Sequence, residues 1–295
     1  DNFFIVQAVV LSVLAVDAAG GGIVLGAVIA SSAFAAMALR LEALDPLGAA
    51  GGGLLAASLL VLGGWGWAVP ALAFFVLSSA LSRLPHRSLA APAPATIPEA
   101  THPDSSGRTL RQVLANGGVA WLCLAVAFVL PAGAASPAPS LLYAAYVAAF
   151  ATATADTWAT EVGTRSRTRP VSLTTLRPVD AGTSGAVSLP GTLAGVAGAF
   201  CVGGLAALAA DPRLDLHWAP VAVTGAAGML LDSAVGATIQ VRYRDPETGR
   251  VTETPTADGA IQVSGWTSVD NDAVNALATT AGALAGAGVQ YVAGF

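Results

Sequence analysis

The stretch Leu141–Gly163, LLYAAYVAAFATATADTWATEVG, decides the fold. Its first half is apolar enough to dissolve in lipid and rich in small residues, and an aspartate and a glutamate arrive only at its end. A helix that crosses a bilayer needs about 20 mostly apolar residues, so this reads as a membrane span that delivers two carboxylates to one membrane surface. Ionisable groups at that depth are costly unless paired or facing a wet cavity, which makes them functional candidates by default.

The rest of the chain agrees. Of 295 residues, 55% are hydrophobic and 11% charged, and the mean hydropathy is +0.68. No water-soluble domain could hide that much apolar surface. Candidate spans lie at 3–16, 22–40, 46–62, 65–84, 110–130, 138–155, 189–210, 218–239 and 270–291. The expectation is an all-α, polytopic integral membrane protein of about nine transmembrane helices, forming a single transmembrane domain over 1–295. The opening DNFFIVQAVV lacks a basic region, so it reads as the first span and not as a secretory signal. The 33 glycines suit close helix packing in lipid, where small residues let backbones approach.

A net charge of −5 and a pI near 5.0 argue against nucleic acid as a partner, because a phosphate-backbone binder needs a basic face. Every basic residue is arginine, and most fall in three clusters, Arg83 to Arg111, Arg165 to Arg177 and Arg242 to Arg250. Positive charge in short loops marks the cytoplasmic side, which places all three clusters there, with an inner N-terminus and an outer C-terminus. Residues 85–109, rich in Pro, Ala and Ser, read as a flexible cytoplasmic linker. Residues 240–268 alternate polar and β-branched positions about DPETG, the pattern of a short cytoplasmic β-hairpin near 240–263. Cys123 and Cys201 sit in apolar segments as packing residues, with no metal-type spacing.

On this topology Asp156, Glu161, Asp232, Asn271, Asp272 and Asn275 all fall at cytoplasmic ends of spans and can share one site. The bland alternative is capping, which SVDNDAV supports for Asp270 and Asp272. The intervening residues 160–188 form a cytoplasmic Arg/Gly-rich active-site loop. There TRSRTRPVSLTTLRPVDAGTSGAVSLPG joins arginines, the pair Thr174 and Thr175, and the turn Gly182-Thr183-Ser184-Gly185 directly before a helix. Backbone N–H groups of such a turn and the helix dipole suit phosphate oxygens, and arginine neutralises their charge. Carboxylates opposite them would hold Mg²⁺ between phosphates. A Gly/Ser turn and cytoplasmic arginines are also ordinary membrane-protein features, so the structural reading stands beside the catalytic one.

The blocks ADTWATEVG, GTSGAVSLPGTLAG, LLDSAVGATIQ, WTSVDNDAVNALAT and GRTLRQVLANGG resemble those of the membrane phytyl-phosphate kinase family. The likeness runs from about Leu39 to the C-terminus. That family is related to phytol kinase and dolichol kinase, and more distantly to CDP-diacylglycerol synthase, polytopic enzymes that use CTP. Their pattern D-x-x-A-x-x-x-G, followed by a basic residue before G-[ST], is matched by Asp156, Ala159, Gly163, Arg177, Gly182 and Thr183. One departure is the hairpin: where many relatives carry cysteine pairs, this chain has YRDPETGRVTETPTADG.

The resemblance implies a CTP-dependent isoprenoid monophosphate kinase of the tocopherol-biosynthesis type. It would convert phytyl or geranylgeranyl phosphate to the diphosphate and release CDP, at the cytoplasmic face of a bacterial-type inner or equivalent organelle membrane. Catalytic and metal roles would fall to Asp156, Glu161 and Asp232 with Mg²⁺. Arg165, Arg167, Thr174, Thr175, Arg177, Gly182, Thr183, Ser184, Gly185, Ser188, Asn271 and Asn275 would bind nucleotide and phosphate. The partners expected are CTP, the isoprenoid phosphate and the lipid bilayer, with homo-oligomerisation left open. Two alternatives keep the fold: a CTP-dependent prenol kinase, or a cytidylyltransferase that attacks the α-phosphorus and releases pyrophosphate. A transporter is the alternative of another class, but its polar residues would line a midplane path between repeats, and none is visible.

Overall fold

The computed structural model describes residues 20–84, 107–130, 136–246, 249, 251–255 and 259–294. The expected span at 3–16 and most of the linker at 85–109 lie outside them. Eight α-helices follow one another: α1 (Gly21–Arg40), α2 (Pro46–Ser58), α3 (Gly64–Ser82), α4 (Leu110–Val129), α5 (Ala138–Arg165), α6 (Leu189–Ala209), α7 (Trp218–Thr238) and α8 (Asn271–Gly294). Six helical runs are long and apolar enough to cross a membrane, short of the nine expected. The difference has two physical causes within the described residues. α2 and α3 form one continuous run through the π-helical turn Leu59–Gly63. α8 carries Asn271, Asp272, Asn275, Thr279, Thr280 and Gln290, and is not among the six apolar runs.

The α2–α3 run still reverses direction. Gly64 adopts φ 65°, a left-handed conformation open to glycine, and the chain folds back there. Arg83, just past α3, donates to the carbonyl of Leu41, just before α2, at 2.6 Å. Both outer ends of the pair therefore lie at one end of the bundle.

α5 is the axis of the molecule. Residues Tyr143 to Ala155 are all buried, and α3, α4, α6, α7 and α8 pack against it. Small residues make this possible. A Cβ on Gly191 would lie 2.6 Å from the Ala159 carbonyl oxygen, and one on Gly225 2.5 Å from the Ala151 Cβ. Gly228 and Gly282 abut Thr152 in the same way, and Gly286 abuts Ala148. In lipid such backbone approach supplies the dispersion contacts that water-driven burial supplies elsewhere. The polar groups of the buried run are absorbed locally: Thr152 and Thr154 donate to the carbonyls four residues back, and Tyr143 donates to the Gly66 carbonyl at 2.8 Å.

Two small antiparallel sheets sit at one end. β1 (Val171–Ser172) pairs with β2 (Ala186–Val187), closing the loop between α5 and α6. The expected hairpin is a three-stranded sheet, with β3 (Arg242–Arg244) between β4 (Val251–Thr252) and β5 (Ile261–Ser264). Arg83, Arg108, Arg111, Arg165, Arg177 and Arg242 all belong to this end, while Arg213 sits in the α6–α7 connection at the other.

Candidate functional site

At the arginine-rich end, α5, α6, α7, the 166–188 loop and the three-stranded sheet enclose a cleft of about 420 Å³. Helix geometry selects its α5 wall. Asp156, Ala159, Thr160, Gly163 and Thr164 recur at offsets 3, 4, 7 and 8, which is one face of a helix, and all five line the cleft. α7 contributes Met229, Asp232 and Ser233, and the first residue of α8 contributes Asn271. The α6 N-terminus faces the same space through Ser188, Gly191 and Thr192; Ser188 caps that helix by accepting from the Gly191 N–H.

The cleft is acidic. Asp156 and Asp232 are half-buried, and Asp232 lies within electrostatic reach of both Asp156 and Glu253. The Asp232 Oδ2 atom is buried with no hydrogen-bond partner. Glu253 follows β4 and is brought in by the sheet. Burial pushes its carboxyl above the ordinary range, against opposing pulls from the Gln240 carboxamide and the Arg242 guanidinium. Gln240 accepts from Ser184 Oγ at 2.7 Å, while its Nε2 makes no hydrogen bond of normal geometry. Among the described residues no three His, Cys, Asp or Glu side chains converge at metal-ligating distance. Two carboxylates with one orphaned oxygen nevertheless fit Mg²⁺, which keeps several waters and takes one or two carboxylates plus phosphate oxygens.

Of the residues expected from sequence, Asp156, Asp232, Gly182, Thr183, Ser184, Gly185, Ser188 and Asn271 line this cleft together. Glu161 does not. Five residues past Asp156, it is rotated about 140° around the helix. There it accepts from Ser82 Oγ at 2.5 Å and forms an ion pair with Arg165. Arg165 is occupied in turn, donating to the carbonyls of Ser82 and Leu84 and so bolting α5 to the end of α3. The trio Asp156, Glu161 and Asp232 is therefore not assembled as one ligand set. Arg167, Thr174, Thr175 and Arg177 are exposed and off the cleft wall, and Asn275, half-buried, is off it too. No arginine lines the cleft among the described residues. Residues 160–165 belong to α5, so the loop begins at 166.

The Gly-rich turn divides. A Cβ on Gly185 would lie 2.6 Å from the Ser233 carbonyl oxygen and overlap Ala237, so this glycine is required by contact with α7. A Cβ on Gly182 would meet nothing within 4 Å, which leaves that backbone open to the cleft. Arg242 braces the turn by donating to the Ser184 carbonyl at 3.1 Å and the Gly236 carbonyl at 2.8 Å. Asp270 is a cap: its Oδ1 accepts from the Ala273 N–H, and its Oδ2 pairs with Arg111 at 2.6 Å. Sequence reasoning missed Glu253 and Gln240. The register of the sheet, which no local pattern reveals, carries Glu253 back to α7.

Residues 29–283 match the family described as integral membrane protein DUF92. Protein PGR of Arabidopsis thaliana is 29% identical over 84% of this chain and 90% of its own length. An uncharacterized membrane protein of Methanocaldococcus jannaschii is 32% identical over 69% of this chain and 77% of its own. One from Synechocystis is 32% identical over 78% and 76%. No solved structure matches.

Proposed function

From the premise that the chain belongs to the integral membrane protein family DUF92, we propose that it is a Mg²⁺- and CTP-dependent isoprenoid monophosphate kinase working at the cytoplasmic membrane surface. The observation that carries this reading is the orphaned Asp232 oxygen beside Asp156, facing a helix N-terminus and an open glycine turn. A cleft lined by the three acidic residues Asp156, Asp232 and Glu253 and by no arginine among the described residues repels a nucleoside triphosphate unless a cation intervenes. Asp156 and Asp232 would hold Mg²⁺, which would supply positive charge against the donor phosphates.

The chain's own groups then do the positioning. The α6 N-terminus, capped by Ser188, offers a positive dipole end to phosphate oxygens. Backbone around Gly182 and Thr183 can approach closely because no side chain intervenes at Gly182. Thr160 and Thr183 present hydroxyl donors along the wall, and Asn271 adds a carboxamide. A phosphate monoester acceptor is already ionised, so in-line attack on the γ-phosphoryl group needs little general base. Positioning and charge neutralisation account for most of the rate. The arginines gathered at the cleft end support the cytoplasmic assignment.

The test is a product assay. The purified protein in detergent is incubated with Mg²⁺, each nucleoside triphosphate, and phytyl phosphate, geranylgeranyl phosphate or free phytol. The proposal expects CTP and an isoprenoid monophosphate to yield CDP and the diphosphate. Release of pyrophosphate would identify a cytidylyltransferase instead, and phosphorylation of free phytol a prenol kinase.

A further inference from the structure

A second cavity lies on the other side of α5, between α1, α2, α3 and α4. It holds about 190 Å³, and Phe34, Leu55, Leu59 and Phe75 typify its apolar walls. Arg108 is the one charged residue among those lining it. Its backbone is pinned in place: the Arg108 N–H donates to the Ala43 carbonyl, and its own carbonyl accepts from the Asp45 N–H. Its guanidinium carbon stands 5.7 Å from the Phe74 ring centroid. Burial lowers its pKa from the ordinary arginine value, Glu161 opposes that and Arg83 adds to it. The carboxylate that acts on it, Glu161, is itself ion-paired with Arg165 and forms no ion pair with Arg108. A guanidinium facing an apolar chamber with no carboxylate paired to it among the described residues is costly until an anion meets it.

The cavity is also open to the lipid side. Trp65 and Leu72 line it and are 68% and 44% exposed on the outside of the bundle. From Trp65 to Phe75 it follows α3 for about 15 Å at 1.5 Å per residue. Trp65 is at the far end of the bundle, and Arg108 is at the arginine-rich end. That combination is a slot for one apolar chain with an anionic head at one end. We infer that this cavity binds an anionic bilayer phospholipid, with one acyl chain between α1 and α4 and its phosphate against Arg108. The occupant is a phospholipid because the slot opens sideways into the bilayer. The site is independent of the carboxylate cleft, since Phe150 is its only contribution from α5 and Asp156 faces the other way.

Native mass spectrometry of the full chain in a neutral detergent tests this, with dioleoyl phosphatidylglycerol and dioleoyl phosphatidylcholine as probes at equal concentration. One anionic lipid should be retained in preference to the zwitterionic one by about fivefold, the effect of one charge pair near a membrane surface. Arg108→Gln should abolish the preference and Arg108→Lys preserve most of it. Ala71→Phe, which fills the cavity wall without touching the charge, should reduce retention of both lipids. Should Arg108→Gln fail to fold, the lysine and phenylalanine variants decide alone. Equal retention of both lipids by the wild type overturns the inference, as does a preference that survives Arg108→Gln, or undiminished retention by Ala71→Phe.

Discussion

Asp232→Asn is expected to reduce isoprenoid phosphate turnover by on the order of 10²-fold or more, about 2.7 kcal/mol of transition-state stabilisation, while the thermal midpoint stays level or rises. The substitution keeps the shape of the side chain and replaces a carboxyl whose buried Oδ2 has no hydrogen-bond partner. Its electrostatic neighbours are the acidic Asp156 and Glu253, so the fold gives a carboxylate here no compensating partner and the amide replaces it without breaking a contact. Stability and activity should therefore move in opposite directions, the usual signature of a functional group held at a cost to the fold. Turnover and thermal unfolding of the variant, measured on one preparation in the same detergent, check this. A variant that loses both together would show that Asp232 is a structural residue.

Gly195→Val should have the largest effect on the fold itself. A Cβ at this point of α6 would overlap the Met229 sulfur and come within 2.7 Å of the Ala155 carbonyl oxygen, one residue before Asp156. Backbone carbonyls cannot step aside as a long side chain can, so α6 must separate from α5. Overpacking costs typically about 1–3 kcal/mol. The same displacement carries the α6 N-terminus away from the carboxylates. The expected result is a lower thermal midpoint together with lost turnover, whereas Gly204→Ala, on the same helix with nothing within 4 Å of the added Cβ, should change neither. Loss of turnover at an unchanged midpoint in Gly195→Val would contradict this packing account.

Most of the architecture was legible because lipid imposes it. Long apolar runs, small residues and arginines confined to a few loops leave few other arrangements, and α5, α6 and α7 begin and end within a few residues of expectation, except that α5 runs on to Arg165. That one extension reorganises the site. Treating 160–165 as a loop made Asp156 and Glu161 look like neighbours, whereas on a continuous helix an offset of five turns them to different faces. The faces were readable once the helix was known: Asp156, Ala159, Thr160 and Gly163 form a stripe, and Glu161 with Arg165 is an i,i+4 ion pair. Sequence could not show that Gly185 answers to Ala237, or that Glu253 returns to Asp232, since both depend on contacts between distant segments. The arginines misled for a simple reason: positive charge marks the membrane side, and only geometry says which arginines reach a ligand.

On the proposed function, Asp156 and Asp232 together with a divalent cation would form the nucleotide site. The most direct test is calorimetric binding of CTP to the full chain with Mg²⁺ and with EDTA, in the wild type and in Asp156→Asn. The expected result is CTP binding that requires Mg²⁺ and is lost in the variant while its fold persists. CTP binding that survives both EDTA and Asp156→Asn would contradict it.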